Sequence, residues 1–164
     1  MRILQLLIAF FILSSCNTKK KPLPFYYLKS DSLNTKAYEF IETKNFDSAE
    51  YYISRSLYFD SSNYGAYNNR AILKFRKNEP KEEVVADFET ALKLNPSYEI
   101  SLISLVNYYD IINDYKNVIK SSKRYFENSK KENPQNVKQI DNLFIKARRM
   151  LYSKETPNNK IRLK

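Results

Sequence analysis

Histidine and tryptophan are absent from this 164-residue chain, and glycine and cysteine each occur once, as Gly65 and Cys16. Each gap closes a route. Without histidine, one cysteine cannot complete the usual zinc ligand sets. Ser–His and Cys–His nucleophilic pairs are excluded for the same reason. A lone cysteine forms no intramolecular disulfide, and a single glycine cannot build a glycine-rich phosphate loop. Carboxylates remain, Glu82-Glu83 and Asp87-Glu89 among them. They fall on a predicted helix, where a solvated face accounts for them. The composition therefore predicts no catalytic site, no cofactor and no metal.

What is present is basic and apolar by turns. Lys and Arg number 28 against 18 Asp and Glu, a net charge of +10. Lys, Asn, Ile, Tyr and Phe are used heavily, as an AT-rich genome would favour, so the charge does not point to nucleic acid. Arg2 precedes the apolar run Ile3-Leu4-Gln5-Leu6-Leu7-Ile8-Ala9-Phe10-Phe11-Ile12-Leu13. A charged start and a short apolar stretch predict a secretory signal over residues 1–15. The run is shorter than the roughly 20 residues needed to span a bilayer. Leu13-Ser14-Ser15-Cys16 resembles the lipobox of bacterial lipoproteins. The resemblance implies that Cys16 is acylated, palmitate being a usual chain, and becomes the mature N-terminus. Residues 16–29 are expected to be a lipidated tether, able to reach about 45 Å when extended. Lys19, Lys20 and Lys21 there suit either anionic headgroups or plain solvation. The residues after Cys16 include neither the aspartate associated with inner-membrane retention nor an acidic run associated with surface export. That resemblance implies an outer-membrane lipoprotein facing the periplasm.

From Ser30 onward apolar residues recur at three- and four-residue steps, which predicts helices. The pattern also repeats. Ala37, Phe40, Asn45-Phe46-Asp47, Ala49, Ile53 and Ser56-Leu57 match Ala71, Lys74-Phe75, Val84, Phe88 and Ala91-Leu92. Val106, Tyr109, Asn113-Asp114-Tyr115, Val118, Ser122 and Tyr125-Phe126 follow. Ala49 to Val84 is 35 residues and Val84 to Val118 is 34. Ala37 to Ala49 and Val106 to Val118 are both 12, while Ala71 to Val84 is 13, which places one extra residue near Asn78-Glu79-Pro80.

This period and content resemble the tetratricopeptide repeat, most closely over Tyr67–Ala71 and Ala86–Pro96. The resemblance implies an all-α fold of about three stacked antiparallel helix hairpins in a right-handed superhelix, with repeats at 30–63, 64–98 and 99–132. Val137, Ile140, Phe144, Ala147 and Leu151 form one stripe, so residues 135–153 are read as a capping helix and 154–164 as a basic tail. The family's turn glycine is missing; Lys44, Asn78 and Asn113 stand near its place. Asn tolerates left-handed backbone, so at least the two Asn turns should close.

The resemblance further implies a concave groove lined by the first helix of each hairpin. The residues it nominates for a partner are Tyr38, Asn68, Asn69, Ile72, Phe75, Arg76, Asn107 and Asp110, with Ile41, Ile103 and Ile111 on the same predicted face. The carboxylate clamp of some members is not matched. Asn69 fits it, but Asn34, Tyr38, Ile100 and Ser104 stand where it wants Lys, Asn, Lys and Arg. The expected partner is therefore another envelope protein or a peptide segment with apolar anchors, bound by a membrane-anchored, non-catalytic adaptor. The alternative is an electrostatic binder of anionic polymer or headgroups. It would act through the C-terminal part, where eight Lys or Arg face Asp141 and Glu155 between Gln135 and Lys164.

Overall fold

A computed structural model describes residues 24–130 and 132–155. Seven helices follow in chain order: α1 (Pro24–Glu42), α2 (Phe46–Phe59), α3 (Tyr64–Arg76), α4 (Lys81–Leu94), α5 (Glu99–Ile111), α6 (Tyr115–Asn128) and α7 (Pro134–Glu155). No strand occurs among the described residues. They pair as hairpins α1/α2, α3/α4 and α5/α6, and α7 packs on α6 and α5 to close the stack. None of the described helices is long and apolar enough to cross a membrane. The segment expected to be a signal peptide, Cys16 and residues 156–164 of the expected tail lie outside the described residues.

One predicted boundary moves. Residues 24–29, expected in the tether, are the first turns of α1. Pro24 is the first helical residue, a position that suits proline because its missing N–H would have no partner there. The two prolines suggest a linker, but the second one starts the helix.

The hairpin turns are built alike. Lys44, Asn78 and Asn113 all have φ near +58° (59°, 58° and 57°). Behind each, the amide of the next residue reaches back five residues: Asn45 to Phe40, Glu79 to Lys74 and Asp114 to Tyr109, at 2.9–3.0 Å. This is the helix-ending motif for which glycine is the usual choice, here closed by Lys and Asn. The second helix begins two residues after Lys44 and Asn113 but three after Asn78. The extra residue of the middle repeat is absorbed there, outside the helices. Asn45, Asn63 and Asp114 then cap α2, α3 and α6, each side chain accepting an amide hydrogen from three residues on. Such caps stabilise a helix by about 1 kcal/mol each.

Within each hairpin the helices meet on small residues. Ala37 with Ala49, Ala71 with Val84, and Val106 with Val118 are all fully buried. Between hairpins larger side chains fill the space: Phe88, Leu92, Leu102 and Leu105 share one core with Ile140 and Ala147 of α7. Each such side chain contributes roughly 1.5–3 kcal/mol when removed from water. A hairpin alone exposes one of these faces, so stacking is a condition of stability. The single glycine has a steric reason. A Cβ on Gly65 would lie 2.8 Å from Nδ2 of Asn34 and 3.2 Å from Oδ1 of Asn63, so a side chain there would have to displace the Asn34 amide that pairs with Asn69.

Candidate functional site

The odd-numbered helices run parallel. Their side chains pair at about one repeat length: Asn34 with Asn69, Glu42 with Arg76, Asn68 with Ser101, Asn107 with Gln139, and Asp110 with Lys146. Together α1, α3 and α5 form one wall with two adjoining hollows. The first, of about 400 Å³, is lined by Asn34, Thr35, Tyr38, Asn68, Asn69, Ile72, Tyr98, Ile100 and Ser104. The second, of about 360 Å³, is lined by Tyr38, Glu42, Ile72, Phe75, Arg76, Ser104, Asn107, Tyr108 and Ile111, with Phe88 at its floor. Tyr38 and Ile72 belong to both, so the hollows form one groove.

The nominated residues divide into two groups in this groove. Tyr38 is 47 % exposed and Arg76 is also exposed; Ile72 and Phe75 are half-buried. The Phe75 ring meets Tyr108 edge-on at 5.2 Å, so it lies between core and groove. The amides are spent differently. Asn68 is 2 % exposed, and its carbonyl accepts the Ser101 hydroxyl at 2.9 Å. Asn69 donates to both the backbone carbonyl and the Oδ1 of Asn34, at 3.1 and 2.8 Å. Asn107 accepts from Gln139 at 3.0 Å. Asp110 holds Lys146 at 2.8 Å; that hydrogen bond raises the lysine's pKa against a small opposing effect of burial. These four tie neighbouring helices together. Ile41, expected on the groove face, is instead fully buried in the first hairpin's core. Ile103 packs partly against the main core. Ile41 lies one helical turn after Ala37 and shares its face toward α2, which is why it is covered.

Tyr98 and Tyr108 line the hollows and were not singled out from the sequence. Tyr98 precedes α5 and stacks edge-on against Tyr64 at 4.6 Å. Tyr108 stands where the middle repeat has the buried Leu73, 35 residues earlier; a larger side chain in the same slot reaches the groove. Burial raises both phenols above their usual pKa, so they stay neutral hydroxyls. The lining thus mixes aromatic and aliphatic side chains with amides already paired between helices, and its Glu42 and Arg76 face each other at 3.7 Å. Among the described residues no cluster of three carboxylate, thiol or imidazole side chains could hold a metal.

A further hollow of about 350 Å³ lies on the other helices, between α4 and α6, lined by Glu89, Lys120, Lys123, Arg124 and Glu127 among others. Its lining is mostly long charged side chains, and Arg124 already holds Glu89 at 2.7 Å.

A parallel set of first helices, stacked hairpins and small-residue crossings is the architecture of a tetratricopeptide (TPR) domain. A solved structure decides it: the TPR2B domain of yeast Sti1, in complex with pHsp70, superposes with a TM-score of 0.64 over 75 % of this chain and 98 % of that one, at 16 % identity. The fold is TPR-like. No protein-family model matches the sequence, and no curated protein matches it with significance. At that identity the likeness shows the TPR-like fold alone.

Proposed function

We propose that this protein is a lipid-anchored adaptor of the bacterial envelope, held by Cys16 at the periplasmic face of the outer membrane, whose TPR-like groove docks a segment of another protein. One observation carries the reading. The groove's amides and carboxylates pair between helices, while Tyr38, Ile72, Ile100 and Ile111 are left lining it without such work. A ligand gains by covering those apolar groups, so a helix or extended segment with two or three apolar anchors fits best. A free carboxylate tail fits less well, because the lysines and arginine of a clamp are missing. The Sti1 domain is a precedent for this fold in complex with another protein.

The test is photo-crosslinking in cells from Tyr38 and Ile111, replaced one at a time by a photoreactive residue. Adducts to one envelope protein from both positions, persisting in high salt, support the adaptor. Adducts obtained only from positions 148 and 149, and lost in salt, support the electrostatic alternative, since exposed charges are screened. Fatty-acid labelling of the wild type, absent in Cys16→Ser, checks the anchor separately.

A further inference from the structure

The most exposed apolar side chains are not in the groove. They gather where α1 begins and α2 ends. Phe25, Leu28 and Tyr58 are 64 %, 71 % and 76 % exposed, and Tyr26 is more than a third exposed. The rings form one surface: Phe25 meets Tyr26 edge-on at 6.1 Å, Tyr26 stacks on Phe59 at 5.9 Å, and Tyr58 meets Phe59 at 5.4 Å; Leu28 follows Phe25 by three residues, on the same face of α1. Two cations sit in it. Lys29 lies 4.4 Å from the Phe59 ring centre, and Arg55 lies 5.3 Å from both Tyr58 and Phe59. The nearest carboxylates on this end of the hairpin, Asp31 and Asp60, accept hydrogen bonds from Asn63 and Ser62 and line a neighbouring hollow with them. Contiguous exposed apolar surface of this kind marks a binding site more often than chance. Aromatic rings with Lys and Arg on apolar stems match the boundary between headgroups and acyl chains.

The chain itself supplies the occupant. Residue 24, where α1 starts, is eight residues after Cys16. Eight residues span at most about 28 Å. A lipid on Cys16 would hold this edge of the domain beside the bilayer, at an effective concentration on the order of millimolar. A weak surface then suffices. Lys19, Lys20 and Lys21 lie in the same short stretch and add charge of the same sign. We infer that the Phe25–Leu28–Tyr58 cluster, with Lys29 and Arg55, inserts into the interface of the bilayer that carries the anchor. This rests on the lipidation of Cys16. The domain then lies with one edge on the membrane. The ends of α1 and α5 near Glu42 and Ile111 point away from it, so the far half of the groove opens toward the aqueous side.

The absence of tryptophan makes the test clean. Tyr58→Trp and Ile111→Trp each give the full lipidated chain a single reporter. The chain is placed in vesicles of phosphatidylethanolamine and phosphatidylglycerol with brominated acyl chains. The expected result is a blue-shifted emission and a large loss of fluorescence for Trp at 58, with neither at 111. Adding Phe25→Ser, Leu28→Ser and Arg55→Ser to Tyr58→Trp should restore the fluorescence while fatty-acid labelling and helicity are unchanged. Three results overturn the inference. Labelled protein with an unquenched Trp at 58 sinks it while the anchor stands, including the case of a blue-shifted but unquenched probe covered by residues 17–23 or by a second copy. Continued quenching in the serine variant means that the introduced tryptophan, not the cluster, found the membrane. Absence of fatty-acid labelling removes the anchor, and the inference goes with it.

Discussion

In the first hairpin the gap between its two helices is closed by Lys36, Phe40 and Tyr52. In the second, the residues at the same repeat positions are Arg70, Lys74 and Asp87, offset by 34, 34 and 35. The first set works by rings: Phe40 and Tyr52 stack at 5.3 Å with planes 11° apart, and the Lys36 ammonium lies 5.6 Å from the Tyr52 ring centre. The second works by charge: Arg70 grips both oxygens of Asp87 at 2.9 and 2.6 Å, and Lys74 approaches at 3.2 Å. Asp87 is almost completely buried. A buried carboxylate is tolerable only while its partners are present, whereas a half-exposed ring pair loses little when one neighbour goes. One backbone slot thus accepts two chemistries with different failure modes.

The largest effect should come from the neighbouring slot, where the hairpins resemble each other. Ile53 and Phe88 are equivalent and both buried. Phe88→Ala should cost about 3–5 kcal/mol and Ile53→Ala about 2–4 kcal/mol in urea unfolding. A loss under about 1 kcal/mol for Phe88 would contradict its place between the hairpins. Next comes the contrast itself. Arg70→Ala should cost about 2–3 kcal/mol, less than a fully buried pair because the guanidinium is partly exposed. Lys36→Ala should cost about 0.5 kcal/mol. Equal losses would mean that the two gaps are closed in the same way.

Acid should separate the hairpins further. Asp114 caps α6 and holds Lys81 of α4; the equivalent places between the first and second hairpins are Pro80 and Phe46. Burial would raise the Asp114 pKa, but hydrogen bonds from Lys81 and Asn117 outweigh it and the net shift is downward from 3.8. A carboxylate with a lowered folded pKa stabilises above its unfolded value, and that contribution disappears as pH falls through the folded one. The stability gap between wild type and Asp114→Asn should therefore be full above about pH 4 and close below it. Circular dichroism across an acid titration measures this. A gap that widens on acidification would reverse the sign argued here.

The smallest effect concerns the turns. Lys44 and Asn78 hold the same left-handed backbone. For lysine that conformation costs roughly 1 kcal/mol, and for asparagine less. Lys44→Gly should raise the thermal midpoint more than Asn78→Gly does. A reversed order would show that a tertiary contact of Lys44 repays its strain.

Much of the fold was legible because it depends on period. Three apolar patterns 34 or 35 residues apart marked a repeat, the family resemblance made each repeat a hairpin, and the extra residue was visible as 13 against 12. The turns at Asn78 and Asn113 were readable from residue type. Lys44 was readable only by position, since nothing about lysine favours positive φ. The start of α1 was misread because proline marks linkers and helix starts alike. The groove was half legible. The family resemblance nominated Tyr38, Ile72, Phe75 and Arg76, which lie in its lining. It could not reveal that Asn68, Asn69, Asn107 and Asp110 would find partners on adjacent helices.

Sequence alone therefore determined the helices, their pairing and the repeat length, and it carried the lipobox-like Leu13–Cys16. These are local or periodic properties, set by residue type and spacing along one chain. Tertiary structure alone decided which polar groups remain for a partner, which side chains crowd Gly65, and that Phe25 and Tyr58 meet through Tyr26 and Phe59 on one surface. Those depend on distances between residues some 30 positions apart, and no periodicity within a single helix encodes them.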